Sequence, residues 1–182
     1  MKHFFALLLF STQAIANISE TSFSAYSQVR DERKIGVGAQ MLGASGTVGL
    51  LLEINFHPSW GLNIGYGNGS DFQTFLVEYK QILSIGKITT YGLLGFTRWF
   101  GESESSIDST NPGFVADEFM SSSDRRRGVI SENLIYPGVG VQYVLLSGDW
   151  QGLSAFGHVI LLSDLEDFAF APTLAIGTLF YF

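Results

Sequence analysis

Pro172-Thr-Leu-Ala-Ile-Gly-Thr-Leu-Phe-Tyr-Phe182, the last eleven residues, is the stretch whose reading decides the fold. Side chains along an extended strand alternate between two faces. Counting back by twos puts Phe182, Phe180, Thr178, Ile176 and Leu174 on one face, and Tyr181, Leu179, Gly177, Ala175 and Thr173 on the other. The first face is bulky and apolar; the second is mostly small. A strand of about ten residues with one apolar face has the length needed to cross a thin bilayer at a tilt.

Working back through the chain, the same alternation recurs from Ile35 onward, broken by turn chemistry. Seven further segments are expected, centred on Ile35–Met41, Val48–Phe56, Leu62–Tyr66, Thr74–Lys80, Thr90–Trp99, Ile135–Leu145 and Leu153–Leu161. One face of them carries Val48, Leu50, Leu52, Ile54, Phe75, Val77, Leu93, Val139, Val141 and Leu161. The other carries Gln40, Glu53, Asn55, Asn63, Glu78, Lys80, Arg98, Gln142 and His158 among glycines. Trp60, Tyr66, Tyr79, Trp99, Tyr143 and Trp150 fall near segment ends, as aromatic girdles at two membrane interfaces would.

With its carboxy-terminal phenylalanine and whole-length alternation, the chain resembles the small bacterial outer-membrane β-barrels of the OmpA and OmpX type. The resemblance implies an all-β fold, an eight-stranded antiparallel up-and-down transmembrane barrel over residues 35–182, acting as a monomer in the bacterial cell outer membrane. It also implies that Phe182, with Phe180, forms part of the signal read by the barrel-assembly machinery. Outer-membrane lipid and lipopolysaccharide would be the surroundings.

The amino terminus agrees. Lys2 and His3 precede an apolar run, Phe4–Phe10, and a small-x-small site at Ala14–Ala16, the form of a secretory signal peptide over residues 1–16. Cleavage there leaves 166 of the 182 residues. Residues 17–34 are polar and are expected to form a periplasmic lead-in; Phe23, Tyr26 and Val29, three apart, leave open a short amphipathic helix against the barrel rim. A formal net charge of −7 is a poor surface for nucleic acid, whose affinity comes largely from neutralising phosphates. There is no cysteine, so neither a disulfide framework nor thiol chemistry is expected. No cofactor and no metal is implied.

An even strand number puts both ends of the barrel on one side of the membrane. With the amino terminus in the periplasm, the connections at 43–46, 68–71, 101–131 and 164–167 face outward, and those at 57–60, 84–87 and 147–149 face inward. The long connection then falls outside and the periplasmic ones are all short, as such barrels require.

Three groups of residues are candidates for function. Glu53, Glu78, Lys80 and Arg98 are expected to share the inner face as an ion network, since charges removed from water need partners; a gate or proton path is the other reading. Arg125, Arg126 and Arg127, in the long loop beside Glu102, Glu104 and Asp108, have the chemistry to pair with lipopolysaccharide phosphates. His158 raises the question of a lipid A acyl-modifying enzyme. Ser154 shares its face but lies four residues away, roughly 13 Å at strand spacing, too far for a nucleophile and its base. The Asp164, Glu166, Asp167 cluster lacks calcium-loop spacing. The expectation is a non-enzymatic structural, surface-interaction or envelope-maintenance barrel. The lipid-modifying enzyme is one alternative and a secreted lipocalin-like carrier, with its apolar face inside, is another.

Overall fold

A computed structural model describes residues 20–85, 88–103, 106–107, 118–165 and 169–182. The signal-peptide reading of residues 1–16, and Glu104, Asp108, Glu166 and Asp167, lie outside the described residues.

Eight antiparallel strands close into a barrel in sequence order. They are β1 (Ile35–Leu42), β2 (Val48–His57), β3 (Trp60–Asn68), β4 (Gln73–Ser84), β5 (Thr89–Glu102), β6 (Val129–Val144), β7 (Leu153–Asp164) and β8 (Phe170–Tyr181). The first and last strands pair from Gly36↔Tyr181 to Leu42↔Ala175, so no sheet edge is left open. Gly38 makes this seam possible: a Cβ there would lie 1.8 Å from the Thr178 carbonyl oxygen.

The apolar face points outward and the charged face inward. Leu50 is 71% exposed and Val141 49%, whereas Glu53 and Glu78 are fully buried. This excludes the lipocalin-like arrangement, in which Leu50 and Val141 would line the interior and the two glutamates would meet water. The closing strand follows its expected parity, with Leu174, Ile176 and Phe180 outside and Ala175, Leu179 and Tyr181 inside.

One strand departs from the sequence expectation. In β5, Tyr91, Leu93, Gly95, Thr97 and Trp99 face inward, and Leu94, Phe96 and Arg98 face outward. Residues directly opposite one another in a ladder share a face. Glu78 pairs with Gly95 on one side and Tyr136 pairs with Gly95 on the other. With Glu78 and Tyr136 inside, Gly95 must be inside too. Arg98 therefore leaves the interior and Leu93 leaves the outer wall. Trp99 likewise leaves the girdle: it is buried, stacked on Phe72 with ring centroids 4.7 Å apart, and its Nε1 donates to the Ala44 carbonyl at 3.1 Å. Trp60, Tyr66 and Tyr143 are exposed near strand ends, Trp150 is exposed in the β6–β7 turn, and Tyr79 is exposed in the middle of β4.

Both mouths of the barrel are filled by its own chain. At one end lies α1 (Glu20–Glu32), a helix where a lead-in was expected, with Tyr26, Val29 and Arg30 buried. Arg33, just past it, donates to the carbonyls of Gln151 and Tyr181 at 2.6 and 3.2 Å, tying the helix across the closing seam. At the other end the β1–β2 connection turns inward as a short 3-10 turn, Gly43–Ser45, all three residues buried. Leu42 takes a left-handed φ of 66° to start that turn, the one non-glycine residue to do so among those described. Beyond it, Ile107, Phe119, Met120 and Ile130 cover the interior, and α2 (Ser122–Arg127) leads into β6.

Candidate functional site

The interior is built from alternate residues of neighbouring strands, and Arg30, Glu53 and Lys80 meet within it. Glu53 accepts from Arg30 Nη1 at 2.7 Å through Oε1 and from Lys80 Nζ at 2.8 Å through Oε2. Lys80 also donates to Gln142 Oε1 at 2.9 Å and stands over the Tyr91 ring, 4.5 Å from its centroid. Gln142 passes the network on, donating to Ser154 Oγ at 3.0 Å and to the Tyr181 hydroxyl at 2.8 Å. Glu78 forms a second centre, accepting from the Tyr136 hydroxyl at 2.9 Å and from Asn63 Nδ2 at 2.8 Å.

Of the four residues expected in this network, the structure brings together Glu53 and Lys80, places Glu78 beside them on separate partners, and puts Arg98 on the outer wall. The second cation is Arg30, from the amino-terminal helix. Sequence reading misses it because its segment is polar and reads as a periplasmic lead-in. A signal was present: Tyr26, Val29, Arg30 and Arg33 follow the three- and four-residue spacing of a helix face. With Arg98 outside, the strands bring two carboxylates and one ammonium, Glu53, Glu78 and Lys80, to this cluster, and Asp164 is buried apart from them at the end of β7. Arg30 supplies Glu53 with its second cation.

Electrostatically this is an all-or-nothing arrangement. Ions in a low-dielectric interior cost several kcal/mol each to desolvate, and only close, well-oriented partners offset that. Around Glu53, Lys80, Tyr91 and His158 the side chains leave no room for a water molecule. Glycines make such filling possible: a Cβ at Gly95 would fall 2.3 Å from the Tyr136 ring, and one at Gly140 would fall 2.5 Å from the Tyr91 ring. An eight-stranded barrel is just wide enough for side chains to fill it.

His158 is inside, 5% exposed, with Nδ1 3.2 Å from the Tyr91 hydroxyl and its ring stacked on Phe156. Ser154 instead meets Gln142. The arginine run forms the second half of α2. Its Ser121 cap accepts from Asp124 N, and Arg127 pairs with Asp124. Arg126 is exposed and Arg125 half-buried. The Ser121 hydroxyl and the Arg127 guanidinium hold the Asp124 carboxyl below the usual carboxylate range. Phe180 and Phe182 are both exposed, and Phe182 N donates to the Ile35 carbonyl at 3.0 Å.

Fold and interior together define an eight-stranded antiparallel barrel with an apolar outer wall and a filled polar core. Comparison with protein-family models finds no match, and comparison with curated proteins finds none either. Among solved structures the chain is similar to the N-terminal β-barrel domain of Pseudomonas aeruginosa OprF, with a TM-score of 0.51 and 13% identity over 80% of this chain and 95% of that one. It also matches the Yersinia pestis outer membrane protein Ail, with a TM-score of 0.42 and 15% identity over 81% of this chain and 97% of that one. The OprF likeness is one of fold: the two share a closed antiparallel β-barrel.

Proposed function

We propose that the protein is a non-conducting barrel of the bacterial outer membrane with a structural or surface-interaction role rather than an enzymatic one. The observation that carries this reading is the inside-out polarity: Leu50, Val139 and Val159 are more than half exposed, while Glu53, Lys80 and Arg30 are sealed at the centre. An outer wall so apolar suits hydrocarbon, and a lipid-facing charge near the midplane would cost about 2–4 kcal/mol. Filling of both mouths supports a closed barrel, and the burial of His158 away from the rim supports a role other than acyl-group chemistry.

In this reading α1 faces the periplasm and residues 103–128 face outward. Phe180 and Phe182 are the assembly signal for the barrel-assembly machinery, and Arg125–Arg127 at the outer rim contact lipopolysaccharide phosphates. Expression of the full chain in a Gram-negative host, followed by membrane fractionation and protease treatment of intact cells, tests it. The expected result is recovery in the outer membrane with cleavage confined to residues 103–128. Recovery as a soluble periplasmic protein would overturn the reading.

A further inference from the structure

The parity of β5 leaves an arginine where the fold disfavours one. Among the described residues, the charged side chains on the outward face of the strands are Arg98 and Glu102, and Glu102 stands at the strand's end. Arg98 has no ion-pair or hydrogen-bond partner among the described residues, and it is flanked by Phe96 on its own strand and Phe75 opposite. The cost of a lipid-facing charge is greatest at the midplane and becomes small near the interface. Its other cross-strand neighbour, Asn133, places Arg98 at the upper edge of the apolar band. A guanidinium at that height, its stem along aromatic side chains, meets the level at which lipid headgroups begin.

A second feature lies directly above it. Two and four residues further along the same face, roughly 7 and 13 Å at strand spacing, Phe100 and Glu102 line a polar cleft of about 360 Å³. Asn68, Ser70, Asp71 and Gln73 form its other wall. Carboxylates, amides and hydroxyls around an open cleft suit a ligand dense in hydroxyl groups. A bare anion would be repelled by Asp71 and Glu102.

We propose that the outer end of β3–β5 is a headgroup site for a phosphorylated glycolipid, with Arg98 taking the phosphate and the cleft taking the sugar. The acyl chains lie along the apolar wall beneath. This rests on the outer-membrane reading, and it differs from the loop arginines in that acyl chains, phosphate and outer sugars are met in that order going up the outer face beside β5. Arginine matches phosphate with two parallel charge-assisted hydrogen bonds.

The test uses the full chain folded into lipid nanodiscs. Insertion is scored first by strand circular dichroism; failure to insert would overturn the membrane reading itself. Binding is then titrated with lipopolysaccharide carrying a phosphorylated glucosamine headgroup, the same material after phosphatase treatment, and phosphatidylglycerol. Arg98→Gln, an exposed substitution, is expected to weaken binding of the phosphorylated glycolipid about tenfold and to leave the phosphatase-treated form unaffected. Paired Asp71→Asn and Glu102→Gln substitutions are expected to weaken both forms of the glycolipid. Arg98→Gln binding as wild type, or losing phosphatidylglycerol equally, would overturn the glycolipid assignment. Unchanged or tighter binding by the Asp71 and Glu102 variant would overturn the placing of the sugar.

Discussion

Arg30 Nη1 donates to Glu53 Oε1 at 2.7 Å, joining a helix outside the barrel sequence to a carboxylate at its centre. Both side chains are buried, at 1% and 0% exposure, so the pair has no access to screening by water. The amino-terminal helix is thereby part of the core, and its removal leaves Glu53 with one of its two cations.

Arg30→Met is expected to destabilise the folded barrel by about 3–5 kcal/mol, because it strands a carboxylate that Lys80 alone must neutralise. Adding Glu53→Gln should recover part of the loss. Arg98→Met should change stability by less than about 0.5 kcal/mol, as exposed positions do. Equilibrium urea unfolding of the four chains in lipid nanodiscs checks the ordering; equal effects at Arg30 and Arg98 would contradict the assignment of the interior.

Two glycines of β5 test the parity of that strand. Gly95→Ala drives a methyl into the Tyr136 ring, an overpacking expected to cost about 1–3 kcal/mol. Gly92→Ala points outward, with its nearest neighbour 3.8 Å away, and should be close to neutral. The reverse order in thermal unfolding would place Arg98 back inside.

Tyr136→Phe removes the hydroxyl that donates to Glu78 Oε1 and leaves the ring in place. Hydrogen bonds to charged groups contribute about 1.5–3 kcal/mol, and a loss in that range is expected. Asn63→Ala should cost a similar amount, and the double variant should depart from additivity because both donors serve one carboxylate.

Asp124 should make α2 sensitive to acid. Its carboxyl titrates below its ordinary value because Ser121 and Arg127 hold the ionised form, so the support it lends α2 is complete above the unfolded value of about 4. That support is lost as the pH falls through the lowered folded value. Amide exchange at residues 124–128 should be steady in its protection near neutrality and accelerate relative to the intrinsic rate in acid. Asp124→Asn should abolish the pH dependence; an unchanged profile would remove the carboxylate from the cap.

The strand count, the closing strand and the polarity of the barrel were legible in the sequence by itself. Alternation of period two is a local property, and in β2 or β8 one face is so much bulkier than the other that only one assignment buries glycine and charge together. In β5 both faces carry large side chains, Tyr91, Leu93 and Trp99 against Leu94, Phe96 and Arg98, and a choice made on local pattern goes either way. The ladder with Glu78 and Tyr136 decides it, since partners across a sheet share a side regardless of their own preference. Arg30 is a longer-range case: nothing in residues 17–34 names Glu53, and only closure of the barrel creates an interior whose uncompensated carboxylate draws a cation from the helix. Outside β5, local periodicity determined which residues form the wall. Pairing and charge balance across the closed barrel, which act between residues far apart in sequence, decided what fills it.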